Sequence, residues 1–221
     1  KMEQSIIYVY ILLIFVFINS LSFYRWVTHR KFSHLSKKKV YINEINSGDV
    51  LIVAYQKPNF LIQQSLFRVK YTHAAICVWK DKQLYVVDLL QHSYKLVPFS
   101  EWTRRYKNQI NLLNKLEIED DVNGEKRKKI EDGIIKIHDQ YKDIKPKFNF
   151  SWLRFVFPAK EYDKTSKDRH SISCVELVAF MLIELDVVKK NKSLESFSPD
   201  EYEFMKGFDT NPGYMFKENF V

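Results

Sequence analysis

Residues 72–98 read as three apolar, β-rich runs separated by connections of two residues: THAAICVWK, then QLYVVDLL, then SYKLVP. Parallel neighbours need a crossover of a dozen residues or more, so links this short force antiparallel pairing. A fourth run, Val50–Tyr55, follows the turn signal Asn46–Asp49 and adds to the same sheet. Downstream the period changes. EKRKKIEDGIIKIHDQY (125–141) places Ile130, Ile134, Ile137 and Tyr141 on one helical face. Ser173–Val188 is a second clear helix, with Cys174, Leu177, Val178, Met181 and Leu185 on one face. SEWTRRY (100–106) reads as a short helix capped by Ser100, and INLLNKLEI (110–118) as a further strand. The expected class is α+β, a small antiparallel sheet or barrel packed on helices.

The N-terminal stretch is of another kind. From Gln4 to Tyr24 there is no charge, and these 21 residues match the roughly 20 needed to cross a bilayer. Basic residues follow the apolar run and no small-residue cleavage site is visible, so a retained transmembrane helix is expected rather than a signal peptide. Residues 1–39 hold seven basic residues and one acid, and six of the seven lie between Arg25 and Lys39. The remainder has 28 basic and 26 acidic residues, so most of the net +8 belongs to that cluster. A cluster beside an apolar span is attracted to anionic headgroups and stays on the cytoplasmic side. The expected organisation is an anchor at 1–24, a basic linker at 25–45 and one domain at 46–221, as a single-pass membrane protein whose partners are membrane lipids. Nucleic acid is not an expected partner, because the domain itself is nearly neutral.

Two cysteines, Cys77 and Cys174, are too few for a disulfide framework and suit a reducing compartment. Six histidines without ligand spacing, and no CxxC pair, give no reason to expect a metal or other cofactor. Cys174 opens an apolar helix directly after Ser173, a good capping residue. A thiol there is either a small packed residue or a nucleophile, since the first helical turn lowers a thiol's pKa and offers a free N–H to an oxyanion. His73 and Asp88 are the lone polar residues in otherwise apolar runs on adjacent strands. Each is a core or edge residue with a satisfied hydrogen bond, or a member of a cross-strand pair that would orient an imidazole. Gln91 and His92 compete with Asp88 for the orienting role.

The order Gly48–Asp49, then Thr72-His73-Ala74-Ala75-Ile76, then an acid on the next strand, then Cys174-Val175-Glu176-Leu177, resembles the circularly permuted NlpC-type papain-like proteins, the YaeF/YiiX-like group. YKDIKPKFNF (141–150) is similar to a G-K-P-Y-D-like segment of that group but carries Phe148-Asn149 where it has Tyr-Asp. FSPDEYE (197–203) is similar to its late helix start. The resemblance implies a permuted papain-like fold and a catalytic triad of Cys174, His73 and Asp88, the last standing where glutamate is usual. It also implies hydrolysis or transfer of an acyl group from an amide or lipid ester. With the expected anchor, lipid or peptide substrates at a membrane come first. Members of the group occur in large DNA viruses of eukaryotes, and the Lys-, Ile-, Asn- and Phe-rich composition suits an AT-rich genome. A viral inner membrane and virion partners therefore belong to the expectation. So does the rival reading, a catalytically silent structural or tethering protein.

Overall fold

The computed structural model describes residues 7–20, 42–54, 73–90, 93–107, 110–143, 145–146, 171–190 and 209–220. Among the described residues four helices and a six-stranded antiparallel sheet make an α+β architecture. Residues 7–20 form α1. After a 3-10 turn at Ile42–Glu44 come β1 (Val50–Ala54), β2 (His73–Lys80), β3 (Gln83–Leu90) and β4 (Ser93–Pro98). Then follow α2 (Phe99–Arg105), β5 (Ile110–Ile118) and α3 (Glu125–Tyr141). The chain closes with β6 (Lys145–Pro146), β7 (Ser171–Ile172), α4 (Cys174–Glu184) and β8 (Tyr214–Phe220). In the large sheet the strands run β4-β3-β2-β1-β5-β8, and β6 pairs with β7 in parallel.

The expected transmembrane helix is corrected. Among the described residues no helix is long and apolar enough to cross a membrane. The described residues of α1 cover about 21 Å at 1.5 Å per residue, against about 30 Å of hydrocarbon. Two of its polar side chains turn back on the helix: Asn19 Nδ2 donates to the Phe15 carbonyl at 2.7 Å and Ser20 Oγ to that of Val16 at 2.8 Å. With the span goes the single-pass placement of the C-terminal domain. The basic cluster Arg25–Lys39 lies outside the described residues.

The sheet is buried on both sides, which explains why its central strands read as continuous apolar runs rather than alternating ones. Val50, Ile52 and Ala54 of β1 and Ala74, Ile76 and Val78 of β2 pack with α3 and α4. The alternate residues Leu51, Val53, Ala75 and Cys77 pack with Trp102 and Tyr106 at the end of α2. Each fully buried aliphatic side chain of this kind contributes about 1.5–3 kcal/mol. The Asp81–Lys82 connection has φ of 51° and 63°, the pair of positive values a tight antiparallel hairpin requires. Ser100 does not cap α2: the helix begins at Phe99, with Pro98 in the capping position and no side-chain cap bond. On α3, Gly133 lies against Leu185, the residue that follows α4: a Cβ there would stand 2.1 Å from Leu185 Cδ2, so any side chain at 133 would displace Leu185.

The turn before β1 is held by Asp49, which is fully buried. Its carboxylate accepts the backbone N–H of Asn46 at 2.9 Å and of Leu116 at 2.8 Å. Arg127 donates to the carbonyls of Ser47 at 2.8 Å and Leu116 at 2.7 Å. Burial nevertheless pushes the Asp49 carboxyl from 3.8 up to about 6, against the pull of those N–H groups and of Arg127. The folded state therefore keeps a proton that the unfolded chain has released between about pH 4 and 6, and stability falls as pH rises through that window. The drop expected from this one group is about 3 kcal/mol at most. Urea unfolding from pH 4 to 7 measures it. Asp49→Asn, which cannot titrate, should remove that part of the slope, and an unchanged slope overturns the assignment.

Candidate functional site

His73 opens β2, and its parity with Ala75 and Cys77 puts it on the face covered by α2. β2 pairs with β3 from Lys80 opposite Gln83 to Ile76 opposite Val87. One more step sets Ala75 across from Asp88, so His73 and Asp88 are diagonal neighbours on one face. Diagonal neighbours stand about 7–8 Å apart at the backbone, within reach of a long side chain. The side chains close that gap: His73 Nε2 and Asp88 Oδ1 are 2.5 Å apart. Both residues are buried, at 5% and 1% exposure. The second carboxylate oxygen, Oδ2, accepts the Tyr106 hydroxyl at 3.0 Å.

Cys174 comes from the opposite layer, as the first residue of α4. A reciprocal capping box fixes its position. Ser173 Oγ accepts the Glu176 N–H at 3.2 Å, and Glu176 Oε2 accepts the Ser173 N–H at 2.9 Å. The two layers meet at the end of the sheet because His73 is the first residue of its strand. There the Cys174 thiol is hydrogen-bonded to the His73 ring and to the backbone N–H of Ala74. Asp88 holds Nε2, which leaves Nδ1 to face the sulfur.

Burial opposes charge on both partners, and their mutual attraction outweighs it. For His73, desolvation pulls down, but Asp88 and Cys174 together hold the imidazolium well above its usual range. For Cys174, desolvation pushes up, but the His73 charge, its hydrogen bond and the Ala74 N–H bring the thiol below its ordinary value. Both shifts run in the direction that favours an imidazolium facing a thiolate. Cys77 is the contrast: fully buried and near Asp49, its thiol is pushed well up.

The three residues singled out in the sequence are thus brought together. Gln91 and His92 lie outside the described residues, as do all of 147–170 and all of 197–203. Asp49 is elsewhere: it precedes β1, at the far end of that strand from the Val53–His73 pair, and its role is to hold the turn. Three further residues border the site and were not picked out from the sequence. Tyr106 bonds Asp88, and its ring stacks on His73 with centroids 5.8 Å apart. Tyr94 of β4 is buried, and its phenol is pushed up by burial and then by the charges of Cys174, Glu176 and Asp88. Glu176 is buried, with Oε1 unpartnered. The signals existed: Trp102 and Tyr106 have i,i+4 spacing on a short helix, and Ser173-x-x-Glu176 is the capping-box pattern. Among the described residues no group of three or more His, Cys, Asp or Glu side chains is disposed to hold a metal ion.

No protein-family model matches the sequence, and no curated protein matches it. Among solved structures the chain has a distant neighbour in the metalloprotein YiiX from Escherichia coli O157:H7. The two are 16% identical over 78% of this chain and 96% of that one, with a TM-score of 0.44.

Proposed function

We propose that this protein is a thiol-dependent hydrolase or acyltransferase, with Cys174 as nucleophile, His73 as acid and base, and Asp88 as the group that orients the ring. One observation carries the reading: a thiol at a helix N-terminus is bonded to an imidazole whose other nitrogen is held by a buried carboxylate. The finer assignment, a circularly permuted NlpC-type papain-like hydrolase, is supported by the chain order His73, Asp88, Cys174 and by the α+β architecture.

In the proposed reaction His73 Nδ1 takes the Cys174 proton and the sulfur attacks the carbonyl carbon of an amide or ester. The carbon–sulfur bond forms as the carbonyl electron pair moves onto oxygen. The capping box uses the N–H groups of Ser173 and Glu176, so the Cys174 N–H remains to donate to that oxyanion. Collapse expels the amine or alcohol, which leaves with the proton from His73, and a thioester remains. Water, or an acceptor alcohol or amine, then gives its proton to His73, attacks the thioester and releases the acyl group with the thiol restored. Peptide amides and lipid esters are the substrate classes in view.

The test is incubation of the full chain with p-nitrophenyl esters and acyl-peptide amides of graded chain length, followed by mass spectrometry of the cysteine peptides. A transient acyl adduct on Cys174 is expected. Release of p-nitrophenol with no adduct on Cys174, or no release at all across the panel, overturns the reading.

A further inference from the structure

The thiol chemistry proposed above names three residues, yet the Asp88 carboxylate has two oxygens and only Oδ1 meets His73. Oδ2 is equally buried, and a buried carboxylate oxygen left without a donor carries a penalty of about 1–3 kcal/mol or more. Tyr106 supplies the donor from a separate element, the residue that ends α2, at 3.0 Å. The same residue lies against the imidazole, with its ring 24° from parallel to that of His73. Trp102, one turn earlier and 1% exposed, backs it at 4.6 Å between ring centroids. Tyr106 thus touches both the ring and the carboxylate while remaining 4% exposed itself.

Resting on that chemistry, we propose that Tyr106 is a positioning residue: its hydroxyl holds Asp88 in the one orientation that keeps the proton on His73, and its ring keeps water from the pair. The groups that face this cluster are His73 on β2, Asp88 on β3, Tyr94 and the exposed Lys95 on β4, and Cys174 and Glu176 on α4. Among the described residues the Tyr106 hydroxyl is the donor that meets Asp88 Oδ2, and removal of the phenol oxygen takes it away. Without that donor the carboxylate is free to turn, its bond to His73 Nε2 weakens, and the Cys174 thiol loses part of the imidazolium charge that lowers its pKa.

Alkylation by iodoacetamide, a neutral reagent that reacts with thiolates, reads this state without any knowledge of the substrate. The full chain is alkylated from pH 5 to 10 and the Cys174 peptide is quantified, with Cys77 as internal control for intact folding. Wild type should alkylate with a midpoint below the ordinary thiol range. Tyr106→Phe keeps the ring and loses the oxygen; its midpoint should rise by about one pH unit, with the rate at pH 7 down about tenfold. Asp88→Asn should move the midpoint the same way, and Cys77 should stay slow in all three. If Tyr106→Phe titrates like wild type while Asp88→Asn shifts, the role given to Tyr106 is wrong and the thiol chemistry stands. If wild-type Cys174 itself titrates as a free thiol, the proposed function fails first. If Cys77 becomes reactive in Tyr106→Phe, the residue holds the fold and the positioning role is overturned.

Discussion

Cys174→Ser should remove covalent acylation of the chain, with the rate of acyl release falling at least a thousand-fold, on the order seen when the nucleophile of a coupled set is lost. The size follows from acidity. The His73 charge, its hydrogen bond and the Ala74 N–H ionise a thiol against the opposition of burial. The same forces cannot ionise a serine hydroxyl, which starts many pH units higher. The fold is not at stake in this substitution. Serine is close to isosteric, and the cap of α4 depends on Ser173 and Glu176 rather than on Cys174. Thermal unfolding of the variant should match wild type, which makes lost acylation a statement about chemistry. Cys77 gives the counter-check, since it is fully buried and its thiol is pushed up by burial and by Asp49. An adduct that persists in Cys174→Ser, whether on Cys77 or on another nucleophile, moves the reactive group elsewhere.

The sheet was legible because its signals are local. The strand 83–90 and the helix 125–141 stand where their residue patterns put them, and the turn between β2 and β3 falls on Asp81–Lys82. β8 was not legible. YMFKENF pairs with β5, from Tyr214 opposite Ile118 to Phe220 opposite Leu112, yet its sequence is mixed and follows an Asn-Pro-Gly turn. It is the outermost strand of the sheet, where a strand is held by backbone pairing on one side and needs no apolar run to declare it. The N-terminal reading failed for a different reason. Counting uncharged residues measures apolarity, whereas spanning a bilayer also needs length in one helix, and no helix among the described residues is long and apolar enough.

At the candidate site, the residues that break a pattern were legible and those that fit one were not. His73 and Asp88 are polar intrusions in apolar strands, and Cys174 follows a capping serine, so each invites a reason. Tyr106 and Tyr94 are amphipathic aromatics at positions where any large apolar residue would also satisfy the core. Only the coordinates show that the hydroxyl of one meets a carboxylate and that the other lies among three acidic groups. Gly48 and Asp49 were read both as part of the turn signal Asn46–Asp49 and for family order, and the structure gives them the mechanical task of holding that turn, at the opposite end of β1 from the site.

That task has a large consequence at Gly48. Its φ of +94° lies where L side chains rarely go, and a Cβ there would stand 2.7 Å from Leu116 Cδ2 and 3.2 Å from Ile130 Cγ2. Both neighbours are buried, at 1% and 2% exposure, so neither can swing into solvent. Gly48→Ala therefore adds a steric term to a conformational one, and the expected loss is about 2–6 kcal/mol, combining backbone strain of about 1–3 with overpacking of about 1–3. Against a total stability of about 5–15 kcal/mol for a domain, that brings unfolding close to physiological temperature. Gly124 separates the two terms. Its φ of +71° is also positive, but nothing lies within 4 Å of its added Cβ. Gly124→Ala should cost only about 1–2 kcal/mol, the conformational share. Urea midpoints for the two variants decide the matter: equal losses mean that Leu116 and Ile130 yield, and that the turn before β1 is not the tight junction its distances describe.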